Sequence, residues 1–185
     1  MARTESNMMA LGTEAPRFSL PDTVTGRELA LDQLKSDQGM LVMFICNHCP
    51  YVIHLHQEIQ SLSAQYRPQG ISFVAISSND VANYPQDSPE RMKNLFAELD
   101  LDFPYLYDES QAIAKAYNAA CTPDFYLFDG QLKCVYRGRA DGSSPGNGLP
   151  VTGEDLRRAM DNLLAGLPID TEQFPSMGCS IKWKN

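Results

Sequence analysis

The chain has 185 residues, 43% of them hydrophobic, and its 15 basic against 23 acidic side chains give a formal net charge of −8. A chain of this length forms one domain around one core, so no second domain is expected. The acidic balance and the lack of any basic run in the sequence exclude nucleic acid and anionic membrane surfaces as expected partners.

Residues 1–11 predict a flexible N-terminal tail. The first ten residues lack the apolar segment of a secretory signal, and the longest apolar run, Met40 to Cys46, is too short to span a bilayer. We therefore expect a cytoplasmic protein. In that reducing compartment, five cysteines indicate catalysis, metal binding or simple burial, because structural disulfides are rare there.

The next segments predict short elements that lead into a buried strand. Residues 12–22 are punctuated by prolines and predict extended chain, and residues 23–29 predict a small hairpin around Gly26. A single helical turn follows. The unbroken apolar run from Met40 to Ile45 predicts a central strand that is covered on both faces.

Two cysteines, Cys46 and Cys49, follow this strand at the point where an amphipathic helix begins. Free backbone N–H groups at a helix start favour a thiolate over a thiol, and we expect this effect to be strongest at Cys46. Cys49 lies one turn further on, so both sulfurs face the same side and can form a disulfide or exchange with one. The pair is therefore the candidate redox centre.

A helix after the cysteines is predicted by apolar residues at spacings of three and four, ending near Pro68–Gly70. Those apolar residues are Val52, Leu55, Ile59, Leu62 and Tyr66. Ile71 to Ile76 predicts a second buried strand, parallel to the first. Asn79 to Pro89 predicts a polar loop, in which Ser88 caps a further helix.

A proline junction, a hairpin and a closing helix complete the predicted domain. The segment Cys121-Thr122-Pro123 precedes two short strands that Asp129-Gly130 joins as a hairpin. Residues 138–151 predict a loop, and the last helix follows a capping pattern at Thr152 and ends at Gly166. Residues 167–185 form a C-terminal tail.

The order of these elements, with the motif Cys46-Asn47-His48-Cys49-Pro50, resembles the thioredoxin superfamily over residues 12–166. The lead Ala15-Pro16-Arg17-Phe18-Ser19-Leu20 is similar to the redoxin branch, which includes the alkyl-hydroperoxide-reductase and thiol-specific-antioxidant (AhpC/TSA) family. The resemblance implies an α/β, thioredoxin-like fold: a central mixed β-sheet flanked by helices, with an N-terminal extension and a C-terminal tail. It also implies that Pro123 is a cis-proline packed against the active-site sulfurs.

Physical reasoning supports a role for this proline junction. A Thr-Pro bond has only a small preference for the trans form, and a cis bond leaves the Thr122 backbone turned out to pair with an extended partner. Thr122 and Cys121 are therefore candidate substrate-binding residues. For Cys121, a redox role near the sulfurs and plain packing both remain open.

The motif favours a thiol–disulfide oxidoreductase that exchanges disulfides with protein or small-molecule partners and needs no cofactor. We expect Cys46 to be the more exposed sulfur with the lower pKa and to attack the partner disulfide, after which Cys49 resolves the mixed disulfide. An imidazolium at His48 would favour the thiolate and make the pair more oxidising. The potential should then lie above the roughly −270 mV of thioredoxin.

A thiol peroxidase is the second hypothesis, with a hydroperoxide as substrate. Cys49-Pro50 matches the Cys-Pro of peroxiredoxins, and Cys46, Cys121 or Cys179 would then be the resolving thiol. The sequence departs from the peroxiredoxin pattern at Cys46, which stands where those proteins carry Thr or Ser. It departs from thioredoxins at Ile45, where they carry Trp.

A non-enzymatic metal-binding or scaffold protein is the third hypothesis. The sequence has no second Cys-x-x-Cys and no His-x-x-x-His, and Cys49 and His56 would lie about 10 Å apart on a helix, so no metal site is expected. Cys134 is predicted to pack as a small hydrophobic residue. Cys179 in the C-terminal tail either folds back as a resolving thiol or anchors the chain end.

Overall fold

A five-stranded mixed β-sheet forms the centre of the protein, whose computed structural model describes residues 3–184. The strands are β1 Arg3–Glu5, β2 Ser19–Pro21, β3 Glu28–Ala30, β4 Met40–Phe44, β5 Ser72–Ser77, β6 Tyr105–Tyr107, β7 Cys121–Thr122, β8 Asp124–Phe128, β9 Cys134–Gly138 and β10 Met177–Ser180. The helices are α1 Leu31–Leu34, α2 Pro50–His54, α3 His56–Tyr66, α4 Pro89–Glu98, α5 Ala112–Ala116 and α6 Glu154–Ala165.

The strands of the central sheet stand in the order β6-β5-β4-β8-β9. Strands β4, β5 and β6 run parallel, whereas β8 pairs antiparallel with both β4 and β9. All five residues of β4 are buried, because side chains pack on both faces of the sheet. The arrangement confirms the predicted α/β, thioredoxin-like fold with a mixed sheet and flanking helices.

Each face of the sheet has its own hydrophobic cluster. One cluster joins Leu41 and Met43 of β4 to side chains of α2, α3, α4 and α6. The other joins Met40, Val42 and Phe44 to the N-terminal lead and to α1 and α5. Because neighbouring strand residues point to opposite faces, β4 serves both clusters and fixes the position of the Cys46 segment that follows it.

The predicted helix after the cysteines is divided at Leu55 into α2 and α3. Leu55 has φ −100° and ψ 2°, and its N–H donates to the carbonyl of Val52, three residues back, instead of four. This tighter turn changes the direction of the chain. The apolar face is nevertheless continuous, since Val52, Leu55 and Ile59 are all buried in the same cluster.

The flexible N-terminal tail that the sequence predicts is not observed in residues 3–11. Strand β1 pairs antiparallel with β10, and β10 pairs antiparallel with β7, forming a second sheet of three strands. Ser6 strengthens this pairing: its N–H donates to the carbonyl of Ser176, and its Oγ accepts from the Ser176 N–H. The strand pairing itself is made by the main chain, so the polar sequence of β1 gave no sign of it.

The C-terminal tail is likewise held on the domain. The Ile181 N–H donates to the carbonyl of Ala120, and the Lys182 carbonyl accepts from the Asp80 N–H. The side-chain amide of Gln111 also donates to the Lys182 carbonyl. No helix within residues 3–184 combines the length and the apolar character needed to cross a membrane.

We expect the paired chain ends to be visible in hydrogen exchange. The amides of Ser6 and Ile181 should exchange more slowly than those of the exposed loop around Gly146, because each donates to a carbonyl within the domain. Native-state exchange followed by mass spectrometry or NMR measures both. Exchange at Ser6 and Ile181 as fast as in that loop would restore the prediction of mobile tails.

Candidate active site

Strand β4 delivers the chain to the active site through a short loop. After β4 ends at Phe44, the Ile45 N–H still donates to the Ile76 carbonyl of β5, and Cys46 follows in the loop. Cys49 occupies the N-cap position of α2, with Pro50 as the first helical residue. The helix start therefore lies at Cys49, and the expectation that Cys46 would feel it most strongly is wrong.

Both sulfurs are buried. Cys46 is 1% exposed and Cys49 is 0% exposed. Neither sulfur is exposed, so the expected difference in exposure between Cys46 and Cys49 is not observed. The C-terminal strand β10 is the reason, because it lies over the site and brings the Cys179 Sγ to 2.8 Å from the Cys49 Sγ.

The surroundings stabilise a thiolate at Cys49. The Cys46 thiol makes the largest contribution, and the Cys179 thiol and the Val52 N–H at the helix start add to it; together they lower the pKa of Cys49 to about 5. Burial opposes this shift, because it disfavours any charge. The net direction of the pKa shift is downward, although the protonated Cys49 thiol donates to the Thr122 carbonyl and to the Cys179 Sγ.

The same interactions keep Cys46 protonated. The pKa of Cys46 is raised by its side-chain interaction with the Cys49 sulfur, by burial and by the negative charge of Asp87. The lower pKa therefore falls on Cys49, and not on Cys46 as the sequence analysis expected.

The Thr122–Pro123 junction lies against both cysteines. Its peptide bond is cis, which confirms that expectation for Pro123. The Thr122 Oγ1 lies 3.3 Å from the Cys46 Sγ, and the Thr122 carbonyl oxygen lies 3.1 Å from the Cys49 Sγ. The Thr122 backbone is not free for a partner in this state, because β10 already pairs with it opposite Cys179.

A buried carboxylate holds the loop between the two cysteines. Asp87 is 0% exposed, and its oxygens accept from the Asn47 N–H at 2.8 Å and from the Asn79 side-chain amide at 2.8 Å. The His48 Nδ1 lies 2.6 Å from the Asp87 Oδ2, and the His48 ring stacks on Tyr84. Asp87 thus fixes both residues of the Asn47-His48 pair.

Sequence reasoning missed Asp87. It lies in the segment predicted as a polar loop, and no spacing or motif separates it from the other acidic residues there. The His48 side chain, expected to act on the cysteines directly, instead contacts this carboxylate.

Cys46, His48 and Asp87 offer three ligand atoms that lie within 4.8 Å of one another. The oxygens of Asp87 also face three nitrogen groups, namely the Asn47 N–H, the Asn79 amide and the His48 ring. The contact between His48 and Asp87 has the distance of an ion pair without the geometry of a hydrogen bond, since neither ring nitrogen of His48 has a hydrogen-bond partner within residues 3–184.

The two remaining cysteines have different positions. Cys121 is fully buried, its Sγ lies 3.7 Å from the Pro123 carbonyl, and burial raises the pKa of its thiol. Cys134 packs in the hydrophobic cluster on the opposite face of the sheet, in agreement with its prediction as a small hydrophobic residue. Burial raises the pKa of its thiol to about 11. Neither residue is a thiolate at neutral pH.

An open cleft of about 260 Å³ lies beside the proline junction. Pro123, Tyr51 and His54 line one side of it, and the loop that carries Ser143 lines another. The His54 Nε2 lies 3.0 Å from the Ser143 Oγ, so His54 spans the cleft between α2 and that loop. His56 is half-buried, and burial lowers its pKa.

The sequence and the fold of this chain are similar to those of known proteins. The model of the Redoxin family matches residues 10–149. The thiol-disulfide oxidoreductase ResA of Bacillus thuringiensis subsp. konkukian is 25% identical over 134 residues, which cover 71% of each chain. An uncharacterized conserved protein from Geobacillus kaustophilus has a crystal structure with a TM-score of 0.98 and 57% identity, covering 100% of this chain and 97% of that one. The thioredoxin domain of a Bacteroides vulgatus thiol-disulfide oxidoreductase shares the fold at 18% identity, with a TM-score of 0.60 and coverage of 70% and 89%.

The assignment of the thiolate to Cys49 is testable by titration. The ultraviolet absorbance of thiolates in the reduced protein should rise in a first step near pH 5, because three donors lower the pKa of Cys49. Cys49→Ser should remove this step. Cys134→Ser, at an equally buried cysteine on the other face of the sheet, should leave it unchanged. A first step near the ordinary cysteine pKa of about 8.5 would contradict the assignment.

Asp87 should be important for stability. Asp87→Ala leaves the Asn47 N–H and the Asn79 amide without their acceptor, so we expect a loss of about 2 to 4 kcal/mol in the free energy of unfolding. Urea denaturation of the reduced protein measures it. The control is Asp102→Ala, which removes an exposed ion pair with Arg67 and should cost less than about 1 kcal/mol. Equal losses in both variants would contradict the role of Asp87.

Proposed function

Because the chain belongs to the Redoxin family, we propose that it is a thiol–disulfide oxidoreductase that cycles between a dithiol and a Cys46–Cys49 disulfide. The observation that carries the proposal is the placing of two buried sulfurs three residues apart against Thr122, with the Cys46 Sγ 3.3 Å from its Oγ1 and the Cys49 Sγ 3.1 Å from its carbonyl oxygen. The similarity to ResA, whose name describes the same chemistry, supports it.

In the first step, the Cys49 thiolate attacks one sulfur of the substrate disulfide. A bond forms between the Cys49 sulfur and that atom, the substrate S–S bond breaks, and the other substrate sulfur leaves as a thiolate. The donors that lower the pKa of Cys49 hold this nucleophile ready at neutral pH.

In the second step, Cys46 resolves the mixed disulfide. Its thiol loses a proton and attacks the Cys49 sulfur, so the Cys46–Cys49 bond forms and the second substrate thiolate leaves. The negative charge on Cys49 has disappeared by then. The interaction with Cys49, which is the largest cause of the raised pKa of Cys46, is therefore absent in this step. Two thiols are oxidised and one substrate disulfide is reduced, and the cycle runs in reverse with a dithiol partner.

The burial of the site bears on the substrate. Both sulfurs lie beneath β10, so a protein disulfide reaches them only after this strand moves. A small-molecule disulfide needs a smaller opening. We therefore propose small disulfides as substrates of the closed protein and protein disulfides as substrates of a state with β10 displaced.

A thiol peroxidase is the second candidate, favoured by the Cys49 sulfur, which immediately precedes Pro50 and has a lowered pKa. The Cys49 thiolate would attack one peroxide oxygen, and the other oxygen would leave as alkoxide or hydroxide. The resulting sulfenic acid would condense with the Cys46 thiol to form the same disulfide and water.

The redox potential of the Cys46–Cys49 pair tests the proposed cycle. Above pH 5, reduction of the disulfide takes up one proton for two electrons, so the potential should fall by about 30 mV per pH unit. Below pH 5, reduction takes up two protons for two electrons, and the potential should fall by about 59 mV per pH unit. The stabilised Cys49 thiolate favours the reduced form, so the potential should lie above the roughly −270 mV of thioredoxin.

Equilibration with glutathione buffers, followed by mass spectrometry of alkylated protein, gives this potential. No Cys46–Cys49 disulfide in the most oxidising buffer would contradict the proposal. A parallel reaction with one equivalent of hydrogen peroxide separates the two candidates, because a peroxidase oxidises Cys49 much faster with peroxide than with oxidised glutathione. Cys46→Ser should abolish the disulfide between positions 46 and 49 in either case.

A further inference from the structure

The C-terminal strand β10 occupies the edge at which an extended partner would bind. It pairs antiparallel with β7, with Cys179 opposite Thr122, immediately before the cis-proline. Addition of a strand to a free sheet edge is a common way for a protein to bind an extended peptide. Here the chain's own C-terminal segment fills that position, and it brings a cysteine with it.

The approach of this strand is unusually close. The Cys179 Sγ lies 2.8 Å from the Cys49 Sγ, and Cys179 is only 4% exposed. A Cβ added to Gly178 would lie 2.0 Å from the Thr122 carbonyl oxygen, so glycine is required for this distance. The neighbouring Ser176 and Ile181 are hydrogen-bonded to Ser6 and Ala120, which fixes both ends of the strand.

We propose that Cys179 is a third redox-active thiol, which exchanges with the Cys46–Cys49 disulfide and forms a Cys49–Cys179 disulfide. The inference rests on the proposed function, because that cycle supplies the disulfide. In the exchange, the Cys179 thiolate attacks the Cys49 sulfur, the Cys46–Cys49 bond breaks, and Cys46 leaves as a thiolate that takes up the proton lost by Cys179. No net oxidation or reduction occurs, so no further reactant is needed.

Proximity and charge both favour this exchange. The two sulfurs are held in contact, which replaces a bimolecular reaction by one within the folded chain. In the reduced protein the pKa of Cys179 is raised to about 12. Burial is the largest cause, and the hydrogen bond with the Cys49 sulfur is the second. The second cause is absent once Cys49 is part of a disulfide, while Lys182 continues to stabilise a Cys179 anion.

The exchange has a consequence for the site. A Cys49–Cys179 bond ties β10 covalently to the edge at Thr122 and returns Cys46 to the thiol form. The oxidised protein is then closed to extended partners and keeps one reduced cysteine beside the bond. Reduction of Cys49–Cys179 frees the strand again, so the redox state controls access to the proline junction.

Peptide mapping of the oxidised full-length protein tests the inference. Trypsin leaves Cys46 and Cys49 together in the peptide 36–91, because Arg67 precedes a proline, and places Cys179 in the peptide 159–182. After oxidation by glutathione disulfide and blocking of free thiols, a Cys49–Cys179 bond cross-links these two peptides. A Cys46–Cys49 bond leaves them separate, so the two disulfides are distinguished by mass.

We expect the cross-linked pair in the wild-type protein, together with the internal Cys46–Cys49 disulfide. Cys179→Ser should remove the cross-link and retain the Cys46–Cys49 disulfide. The matched control Cys134→Ser, at a buried cysteine on the other face of the sheet, should give the wild-type pattern. Gly178→Ala keeps every cysteine but displaces the strand, and it should slow formation of the cross-link by on the order of a hundredfold.

The outcomes separate the inference from the function on which it rests. A fully oxidised wild-type protein that contains only Cys46–Cys49 would overturn the role of Cys179 and leave the proposed function intact. A cross-link that appears only in Cys46→Ser would overturn it as well, because exchange with the Cys46–Cys49 bond would then not occur. A protein in which neither disulfide forms would refute the proposed function itself.

Discussion

The active site depends on the surroundings of one buried sulfur, that of Cys49. Burial alone would raise the pKa of this sulfur, so neighbouring groups must offset it. The Cys46 thiol, the Cys179 thiol and the Val52 N–H lower the pKa, and they come from a loop, a distant strand and the start of α2.

Asp87 contributes to the difference between the two neighbouring sulfurs. After Cys49 and burial, its negative charge is a further cause of the raised pKa of Cys46, and its contacts with Asn47 and His48 hold the loop between the cysteines in place. Part of the asymmetry of the pair therefore comes from a residue outside the Cys-x-x-Cys motif. The same motif in another setting can place its thiolate on the other cysteine, because the motif fixes only the spacing.

Much of the fold could be predicted from local patterns. The apolar run of β4, the Asp129-Gly130 turn and the Thr122-Pro123 junction each have a short-range physical cause, and the structure contains all three elements. The spacing of the cysteines alone did not predict which sulfur has the lower pKa. Pro50 did carry a signal, because proline favours the first position of a helix and so makes Cys49 the N-cap residue. The pairing of β1 and β10 had no such signal, since main-chain contacts between distant polar segments leave no pattern in the sequence.

The identity of the attacking sulfur is the central claim, and alkylation of the reduced wild-type protein measures it most directly, because every thiol around Cys49 is then still in place. Brief exposure to a sub-stoichiometric dose of iodoacetamide at neutral pH, followed by fragmentation of the tryptic peptide 36–91 in the mass spectrometer, should show rapid addition to Cys49 and slow addition to Cys46. Faster addition to Cys46 would contradict the account, because the charge at the centre of the site would then lie on the other sulfur.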